Sequence, residues 1–242
     1  MSESFKNKIY DQYVSTHNRN LYGENSLKKI EKHFPSWAYY FKKILPRNKD
    51  SAILDVGCGD GNFVYWLSSL GFRNVTGVDV SNEQIESGLG MGITGLCVGD
   101  SRDYLQQRKA CFDFIILRDV LEHFTREEVF EIVRLIQAAL RPGGAVMLQV
   151  PNGQGIFYTS IFYGDITHEW AYTQSALSQV FLNCGFENVQ CFEMGPAPVN
   201  ISGFIRFLFW RYKVLMTRFW KFVESGNYNG IFTSNIIAVA KK

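Results

Sequence analysis

Carboxylates and histidines follow several of the apolar runs that predict strands, where side chains at a sheet edge can meet a ligand. Asp79 closes the second run, Asp100 closes the third, and His123 and His168 follow the fourth and fifth. An acidic side chain after the second strand of an open α/β sheet can accept hydrogen bonds from both hydroxyls of a ribose. Histidine changes its charge near neutral pH and is the natural candidate for a general base. These residue types indicate a nucleotide site beside a group that takes up a proton.

A glycine-rich turn precedes these residues and predicts where the ligand would sit. The run 52–56 is apolar apart from Asp55, and Gly57, Gly59 and Gly61 follow it. Glycine permits positive φ and removes the β-carbons that would block a ligand. Tight turns from strand to helix also need glycine for structural reasons, so the turn alone fits either a nucleotide site or a plain connection.

The spacing of Asp79 favours the nucleotide interpretation. It lies roughly 20 residues after the turn, the interval expected when the acidic residue reaches the ribose. Asp100, with Ser101 beside it, could accept a hydrogen bond from an adenine amino group at the same edge. Both aspartates precede predicted helices, and helix capping is the alternative role for each.

The carboxylate before the turn favours one class of cofactor over another. Nicotinamide dinucleotides need a turn that holds a pyrophosphate, usually with the pattern G-x-G-x-x-G. Here the turn reads GCGDG over residues 57–61, and Asp55 precedes it. That carboxylate is unfavourable for a pyrophosphate and suits a ligand with an ammonium and a sulfonium, as S-adenosylmethionine has. A nicotinamide-dependent oxidoreductase is therefore disfavoured.

Four motifs resemble, in order, those of the class I S-adenosylmethionine-dependent methyltransferases. They are LDVGCGDG at 54–61, VDVS at 78–81, FDFIILRDVLEH at 112–123 and LRPGG at 140–144. The resemblance covers about residues 50–193 and the last predicted strand. It implies an α/β fold with a Rossmann-like, seven-stranded, mostly parallel sheet and helices on both faces. It also implies methyl transfer from S-adenosylmethionine, with S-adenosylhomocysteine as product.

The resemblance implies contacts with the methionine, ribose and adenine parts of the cofactor. The residues that it implies are Asp55, Gly57, Cys58, Gly59, Asp79, Val80, Asp100, Ser101, Arg118 and Asp119. Asp55 and the glycines would contact the methionine portion, Asp79 the ribose, and Asp100 the adenine. Arg118 and Asp119 would lie beside the sulfonium. The cysteine of the turn would be a small packed residue and not a nucleophile.

Two histidines are candidates to activate the acceptor. A hydroxyl acceptor needs a base or a metal, whereas an amine can lose its proton beforehand. His168 is the first candidate for the base and His123 the second, because both follow strands whose ends would face the cofactor. Structural alternatives are a helix-start role for His123 and a backbone hydrogen bond for His168. A metal site of His168, Asp165 and Glu169 has no standard ligand spacing, and we expect no metal.

Two further segments resemble a subgroup of bacterial methyltransferases associated with surface-polysaccharide and sugar-nucleotide biosynthesis. They are residues 158–182, with GDITHE at 164–169, and residues 9–17. The resemblance implies O-methylation of a hydroxyl on a sugar, a sugar nucleotide or a glycoconjugate, with Tyr163 and Asp165 as substrate contacts. Alternatives are an N- or O-methyltransferase of another small metabolite and a non-catalytic partner subunit that binds the cofactor.

The aromatic N-terminal arm, residues 1–48, could form a helical lid over the acceptor. Tyr10, Tyr13 and His17 recur at intervals of three and four, which place them on one face of a helix. A lid that excludes water would assist the chemistry. Packing of the arm on the domain is the alternative.

The composition and length of the chain limit the number of domains and the kinds of partner that we expect. Residues 49–242 are predicted to form the methyltransferase domain, with an aromatic and basic helical insertion at about 195–229. The net charge of +2 makes no case for a nucleic-acid partner, and five scattered cysteines indicate reduced, buried thiols. The first residues contain no apolar secretory core. We expect a cytoplasmic protein that acts on a small-molecule or glycoconjugate acceptor.

The segment 201–223 predicts a basic amphipathic helix. One face would carry Ile201, Phe204, Ile205, Leu208, Tyr212, Leu215, Phe219, Phe222 and Val223. Arg206, Lys213 and Lys221 would point away from that face. Such a helix can lie on an anionic membrane, pack on its own domain or pair with a second subunit. The sequence leaves open both peripheral contact with the inner membrane face and a homodimer through this helix.

Overall fold

Seven strands form one sheet in the computed structural model, which describes Ile9 and residues 25–242. The strands are β1 Ala52–Val56, β2 Asn74–Asp79, β3 Leu96–Val98, β4 Phe112–Arg118, β5 Leu140–Pro151, β6 Glu187–Met194 and β7 Asn235–Lys241. Their order is β3-β2-β1-β4-β5-β7-β6, and only β7 runs antiparallel to its neighbours. The predicted seven-stranded, mostly parallel sheet is confirmed. Its parallel strands bring the carboxyl ends of β1, β2, β4 and β5 to one edge.

Helices cover both faces of the sheet. They are α1 Leu27–Glu31, α2 Phe34–Phe41, α3 Asn62–Ser69, α4 Asn82–Gly90, α5 Ser101–Gln106, α6 Arg126–Ala139, α7 Tyr158–Phe162, α8 Gln174–Asn183 and α9 Ile201–Ser225, with a 3₁₀ helix at Leu121–His123. Side chains of β4 alternate between two cores. Ile115 and Leu117 pack with α6 and α8, whereas Phe114 and Ile116 pack with α2 and α3. This strand is therefore buried on both faces and fixes the centre of the sheet.

The described part of the N-terminal arm packs into the second of these cores. Pro35 lies in the first turn of α2, where its missing N–H costs no hydrogen bond. The rings of Trp37 and Phe41 contact Phe63 of α3, with centroids 5.4 and 5.3 Å apart. The side chains of Ile30 and Leu45 are buried in the same core. Tyr10, Tyr13 and His17 lie outside the described residues.

The last strand begins later than the sequence predicts. The apolar run from Ile231 predicts a strand over 231–240, but β7 begins at Asn235. The amide of buried Asn152 donates to the carbonyls of Ile231 and Thr233 at 2.7 and 2.8 Å. These two carbonyls are therefore used to fasten the loop after β5. No helix among the described residues is long and apolar enough to cross a membrane.

Candidate functional site

The glycine-rich turn leaves β1 with its backbone held against β2. Gly57, Gly59 and Gly61 have φ values of 67°, 57° and 79°, which non-glycine residues rarely adopt. The N–H groups of Gly57 and Cys58 both donate to the carbonyl of Val78. A β-carbon at Gly57 would lie 2.3 Å from a methyl group of Val120. The turn therefore requires glycine for its own geometry.

Cys58 is packed into this turn. Its side chain is buried, and the thiol donates to the carbonyl of Gly59. Burial is the main cause that raises the pKa of Cys58, and the nearby carboxylates of Asp55 and Asp79 raise it further. A buried thiol in this setting is unreactive. All five cysteines of the chain are free thiols.

Asp79 ties the glycine turn to the end of β2. One carboxylate oxygen accepts from the N–H of Gly59 at 2.8 Å and the other from the N–H of Ser81 at 2.9 Å. Ser81, not Asp79, provides the side-chain cap of α4 through the N–H of Gln84. Burial raises the pKa of Asp79, and its hydrogen bonds from backbone N–H groups oppose that rise. Asp79 is thus held at the edge where the sequence predicts a ribose.

Asp55 is a buried carboxyl behind the turn. Its side chain is 2% exposed, and burial raises its pKa to about 7 despite the opposing charge of Arg118. The Arg118 guanidinium lies 4.4 Å from the ring centre of Phe63 and 5.2 Å from that of Trp37. Its Nε has no hydrogen-bond partner among the described residues. The core packing of the N-terminal helices thus encloses the cation that faces Asp55.

Asp100 takes the helix-capping role that the sequence left as an alternative. Its carboxylate accepts from the N–H of Arg102 at 2.8 Å and pairs with the Arg102 guanidinium at 3.3 Å. Burial acts to raise the pKa of Asp100, but the hydrogen bonds and charge of Arg102 outweigh it and the pKa is lowered. Ser101 begins α5 directly after this cap. Val80 and Val98, at the ends of β2 and β3, are about half exposed and give this edge an apolar surface.

Backbone hydrogen bonds bring the two predicted histidines to one place. The carbonyl of Glu122, in the 3₁₀ helix after β4, accepts from the N–H groups of Glu169 and Trp170. The Tyr172 hydroxyl donates to the carbonyl of Leu121 at 3.1 Å. The loop that follows β5 is therefore fastened onto the segment that follows β4.

The rings of His123 and His168 lie 4.8 Å apart, centre to centre. The Thr167 hydroxyl donates to Asp165 at 2.6 Å, so it accepts from Nδ1 of His123 at 2.8 Å. Nδ1 of His168 lies 3.0 Å from the carbonyl of Phe162 and must donate to it. In the neutral ring, a proton on Nδ1 leaves Nε2 as the basic nitrogen. Both histidines are thus held with Nε2 as the proton-accepting atom.

Glu122 joins this pair and was missed by sequence reasoning. It is 1% exposed, and its Oε2 has no hydrogen-bond partner in residues 25–242. Burial raises its pKa well above the usual value, and the charges of Asp119 and Asp165 add to the rise. One ligand-capable atom from each of Glu122, His123 and His168 lies within 4.8 Å of the others. This group, and not the weighed set with Asp165 and Glu169, is where a divalent cation could bind.

Asp119 stands at the end of β4 in a strained backbone conformation. Its φ is 55°, and both carboxylate oxygens accept from the amide of Gln149, at 3.0 and 2.8 Å. Burial raises the pKa of Asp119, and the charge of Arg118, the hydrogen bonds from Gln149 and the charge of His168 oppose that rise. A non-glycine residue held at positive φ costs roughly 1–3 kcal/mol and often marks a functional position. Asp119 is therefore a strained residue directly after β4, at the position that the resemblance implies lies beside the sulfonium.

The two remaining candidates from the sequence have different settings: Asp165 makes hydrogen bonds within its loop, and Tyr163 is exposed to solvent. Asp165 also accepts from the N–H of Thr167, so it shapes the loop. Tyr163 is 77% exposed and makes its ring contact with Phe162. Thr167 and Gln149 were not predicted, because their roles depend on contacts between segments far apart in the sequence.

Comparison with known proteins identifies the family. A family model described as a methyltransferase domain matches residues 24–191. A tRNA U34 carboxymethyltransferase from Hahella chejuensis is 29% identical over 169 residues, which are 63% of this chain and 49% of that protein. The chain therefore spans about half the length of this relative.

Solved structures share the fold at low sequence identity. A SAM-dependent methyltransferase from Archaeoglobus fulgidus has a TM-score of 0.67 and 20% identity, covering 95% of this chain and all of the other. Phosphoethanolamine N-methyltransferase 2 of Haemonchus contortus, in complex with S-adenosyl-L-methionine, has a TM-score of 0.63 and 15% identity over 96% of this chain and 60% of its own.

Proposed function

From the premise that this chain belongs to the class I S-adenosylmethionine-dependent methyltransferases, we propose that it methylates a hydroxyl of a sugar, sugar nucleotide or glycoconjugate. The observation that carries the proposal is the histidine pair at the carboxyl edge of the sheet. Both rings are oriented with Nε2 as the basic nitrogen. A hydroxyl is too weak an acid to lose its proton beforehand, so it needs such a base, whereas an amine does not.

The residues at the edge of β1 and β2 fit the methyl donor. The positive-φ glycines keep the turn free of β-carbons, and Asp79 stands where two hydroxyls of a ribose can donate to it. The exposed Val80 offers an apolar surface to a flat base. Asp55 is the carboxyl available to an ammonium. When bound, S-adenosylmethionine supplies a methyl group on a positively charged sulfur.

His168 would act on the acceptor hydroxyl. Its Nε2 would take the proton of the acceptor hydroxyl, and the nearby carboxyl of Asp119 would offset the charge that the ring then gains. His123 is the second candidate, held by the Thr167–Asp165 hydrogen bonds. Glu122 lies beside both histidines, and the rise in its pKa favours the protonated form, which can donate to an acceptor oxygen. In this proposal, His168 is the proton acceptor, Asp119 is its ion-pair partner and Glu122 is the hydrogen-bond donor.

Transfer of a labelled methyl group tests the proposal. Purified protein is incubated with methyl-labelled S-adenosylmethionine and a panel of nucleotide sugars, with small amines and with tRNA, on which the Hahella relative's name says that protein acts. Label on a sugar oxygen supports the proposal. Label only on an amine or on tRNA would overturn it in favour of another acceptor. Tight binding of S-adenosylhomocysteine without transfer to any acceptor would support the non-catalytic partner role.

The buried Asp55 predicts a pH-dependent affinity for S-adenosylhomocysteine. Its pKa is raised to about 7, and an ammonium favours the ionised carboxyl, so a proton competes with the ligand. Affinity should be constant above that pH and fall below it, by up to about tenfold per pH unit. Calorimetry at pH 6 in two buffers of different ionisation enthalpy should detect proton release on binding. Asp55→Asn should remove both effects, and pH-independent binding by the unaltered protein would exclude this contact.

The histidine pair predicts turnover without a metal. Burial raises the pKa of Glu122 well above its usual value, which disfavours the ionised form that a metal ion needs as a ligand. Dialysis against EDTA should therefore leave turnover within about twofold, and added Zn²⁺ should inhibit by binding the two Nε2 atoms. Loss of turnover on dialysis, restored by Mg²⁺, Mn²⁺ or Zn²⁺, would instead assign a cation to Glu122, His123 and His168.

The N-terminal arm is proposed as a lid. Asn25 donates to Asp60 of the glycine turn and to Asn62. These contacts bring the described start of the arm to the glycine turn, and on that basis we propose that Tyr10, Tyr13 and His17 cover the acceptor.

A further inference from the structure

The helix α9 presents an apolar face to the solvent. Eleven large apolar side chains between Ile201 and Val223 are exposed, including Phe209 at 70% and Leu215 at 64%. Val214 alone of its 25 residues is buried. Soluble proteins rarely expose so much contiguous apolar surface unless it binds something. Packing of this face on the described part of its own domain is therefore excluded.

The opposite side of α9 attaches the helix to the sheet. Val214 is buried there, and a β-carbon at Gly195 would meet the Trp210 ring. Arg211 and Arg218 pair with Glu193 of β6 at 3.7 and 3.3 Å. The orientation of the helix is thus fixed by contacts on one side, and the apolar face points outward.

Cations flank the apolar face on both sides. On a helix of about 100° per residue, the exposed apolar residues cover an arc of roughly 160°. Exposed Phe209 and Trp220 make the face wider than the sequence predicts, so Arg206 and Lys213 lie along one border of that arc instead of pointing away from it. Arg211 and Arg218 lie along the other border, where the two cations share the single carboxylate of Glu193. No acidic residue occurs from 201 to 223. The face is therefore complementary to an apolar surface bordered by negative charge.

This charge pattern distinguishes between two occupants. A two-fold interface brings the same surface of two copies together, so the bordering cations would meet cations. An anionic bilayer instead accepts the apolar side chains between its acyl chains and the cations at its head groups. The second arrangement satisfies both parts of the pattern.

The apolar surface continues onto the segment between β5 and α8, residues 152–173, which is the acceptor loop. The Lys213 ammonium lies 4.9 Å from the ring centre of Phe157, at the start of α7. Phe157 is 60% exposed, and Ile166, two residues before the candidate base His168, is 81% exposed. The loop that carries the candidate base therefore borders the same surface as α9.

We propose that α9 docks the protein on an anionic membrane surface, with the acceptor loop facing the bilayer. The helix lies in the head-group region, with Phe209 and Leu215 in the apolar layer and Arg206 and Lys213 at lipid phosphates. The inference goes beyond the proposed function, because membrane binding does not depend on which acceptor is methylated.

Co-sedimentation with vesicles tests the docking. The full chain should bind vesicles of phosphatidylcholine containing phosphatidylglycerol and bind phosphatidylcholine alone much more weakly. The Phe209→Glu and Leu215→Glu double variant should lose binding by about 100-fold or more, because both charges enter the apolar layer. Arg206→Ala with Lys213→Ala should weaken binding to the anionic vesicles by about 20-fold. Leu182→Glu, at a side chain of α8 that is 55% exposed, is the matched control and should bind normally.

Two results would overturn the docking. One is vesicle binding that is absent or that the Phe209→Glu and Leu215→Glu variant retains. The other is a stable dimer in sedimentation velocity that this variant dissociates, with no binding to vesicles, which would assign the face to a second copy. Calorimetry with S-adenosylhomocysteine on the same samples separates this inference from the proposed function, since that binding should be unchanged in every variant.

Discussion

Replacing Asp79 with alanine is expected to raise the dissociation constant for S-adenosylhomocysteine by at least about 100-fold. The carboxylate accepts from the N–H of Gly59 and holds the glycine turn. It is also the proposed acceptor for two ribose hydroxyls. Hydrogen bonds to a charged group contribute about 1.5–3 kcal/mol each, so the loss of two supports this magnitude. Calorimetric titration measures the change, and circular dichroism checks that the sheet remains folded.

Asp113→Ala is the matched control for this prediction. Asp113 accepts from the N–H of Ala52 at 2.7 Å and pairs with Arg141 at 2.9 Å, so its loss also removes a hydrogen bond and an ion pair. It lies near the amino end of β4, at the edge opposite the proposed site. Its affinity for S-adenosylhomocysteine should be unchanged. Binding by Asp79→Ala within about fivefold of the unaltered protein would rule out the ribose contact.

The proposed cofactor site at the ends of β1 and β2 could be predicted from the sequence, because the residues that form it lie close together along the chain. The turn at 57–61 and the strand before it are contiguous, and the position of Asp79 follows from the interval that parallel pairing of β1 and β2 requires. Asp100 shows the limit of this reasoning. Its sequence position fits an adenine contact and a helix cap equally, and the structure shows the cap, in which the carboxylate accepts from the backbone N–H of Arg102.

The group around His123 and His168 could be predicted only in part, because its geometry depends on contacts between segments that are far apart in the sequence. His123 and His168 are candidates by residue type, but their rings meet only because the loop after β5 bonds the carbonyl of Glu122. The role of Thr167 depends on a contact 44 residues away in the chain. Glu122 stands in the LEH motif, yet nothing in its sequence neighbourhood indicates an unpartnered oxygen beside two histidines.

For the helix α9, the sequence predicts the helix itself but not the direction in which its apolar face points. Its periodicity predicts a helix over 201–223, and the structure has one at Ile201–Ser225. A C-terminal glycine, Gly226, takes a φ of 67° and ends it. Periodicity separates an apolar face from a polar one but does not say which face meets the domain. The ion pairs to Glu193 determine that the apolar face points outward.

His168→Ala is expected to lower kcat for methyl transfer to a sugar hydroxyl by about 100- to 10,000-fold, the range for loss of a general base. The affinity for S-adenosylhomocysteine should stay within about twofold, because the proposed role of His168 is on the acceptor and not on the cofactor. His123→Ala should have a smaller effect, since the ring acts beside the proposed base. Single-turnover transfer of labelled methyl to the best acceptor of the nucleotide-sugar panel measures both variants.

Added imidazole distinguishes a proton acceptor from a merely structural histidine. If Nε2 takes the hydroxyl proton, imidazole should enter the space left in His168→Ala and restore part of the rate, whereas it cannot restore a loop that has shifted. His33→Ala is the matched control, because His33 is an exposed histidine that precedes α2 and stacks on Trp37. The kcat of this variant should be unchanged and insensitive to imidazole. If His168→Ala keeps a rate within about threefold of the unaltered protein and His123→Ala loses more, the base is His123. The structure allows this alternative, because Thr167 accepts from Nδ1 of His123 just as the Phe162 carbonyl accepts from Nδ1 of His168.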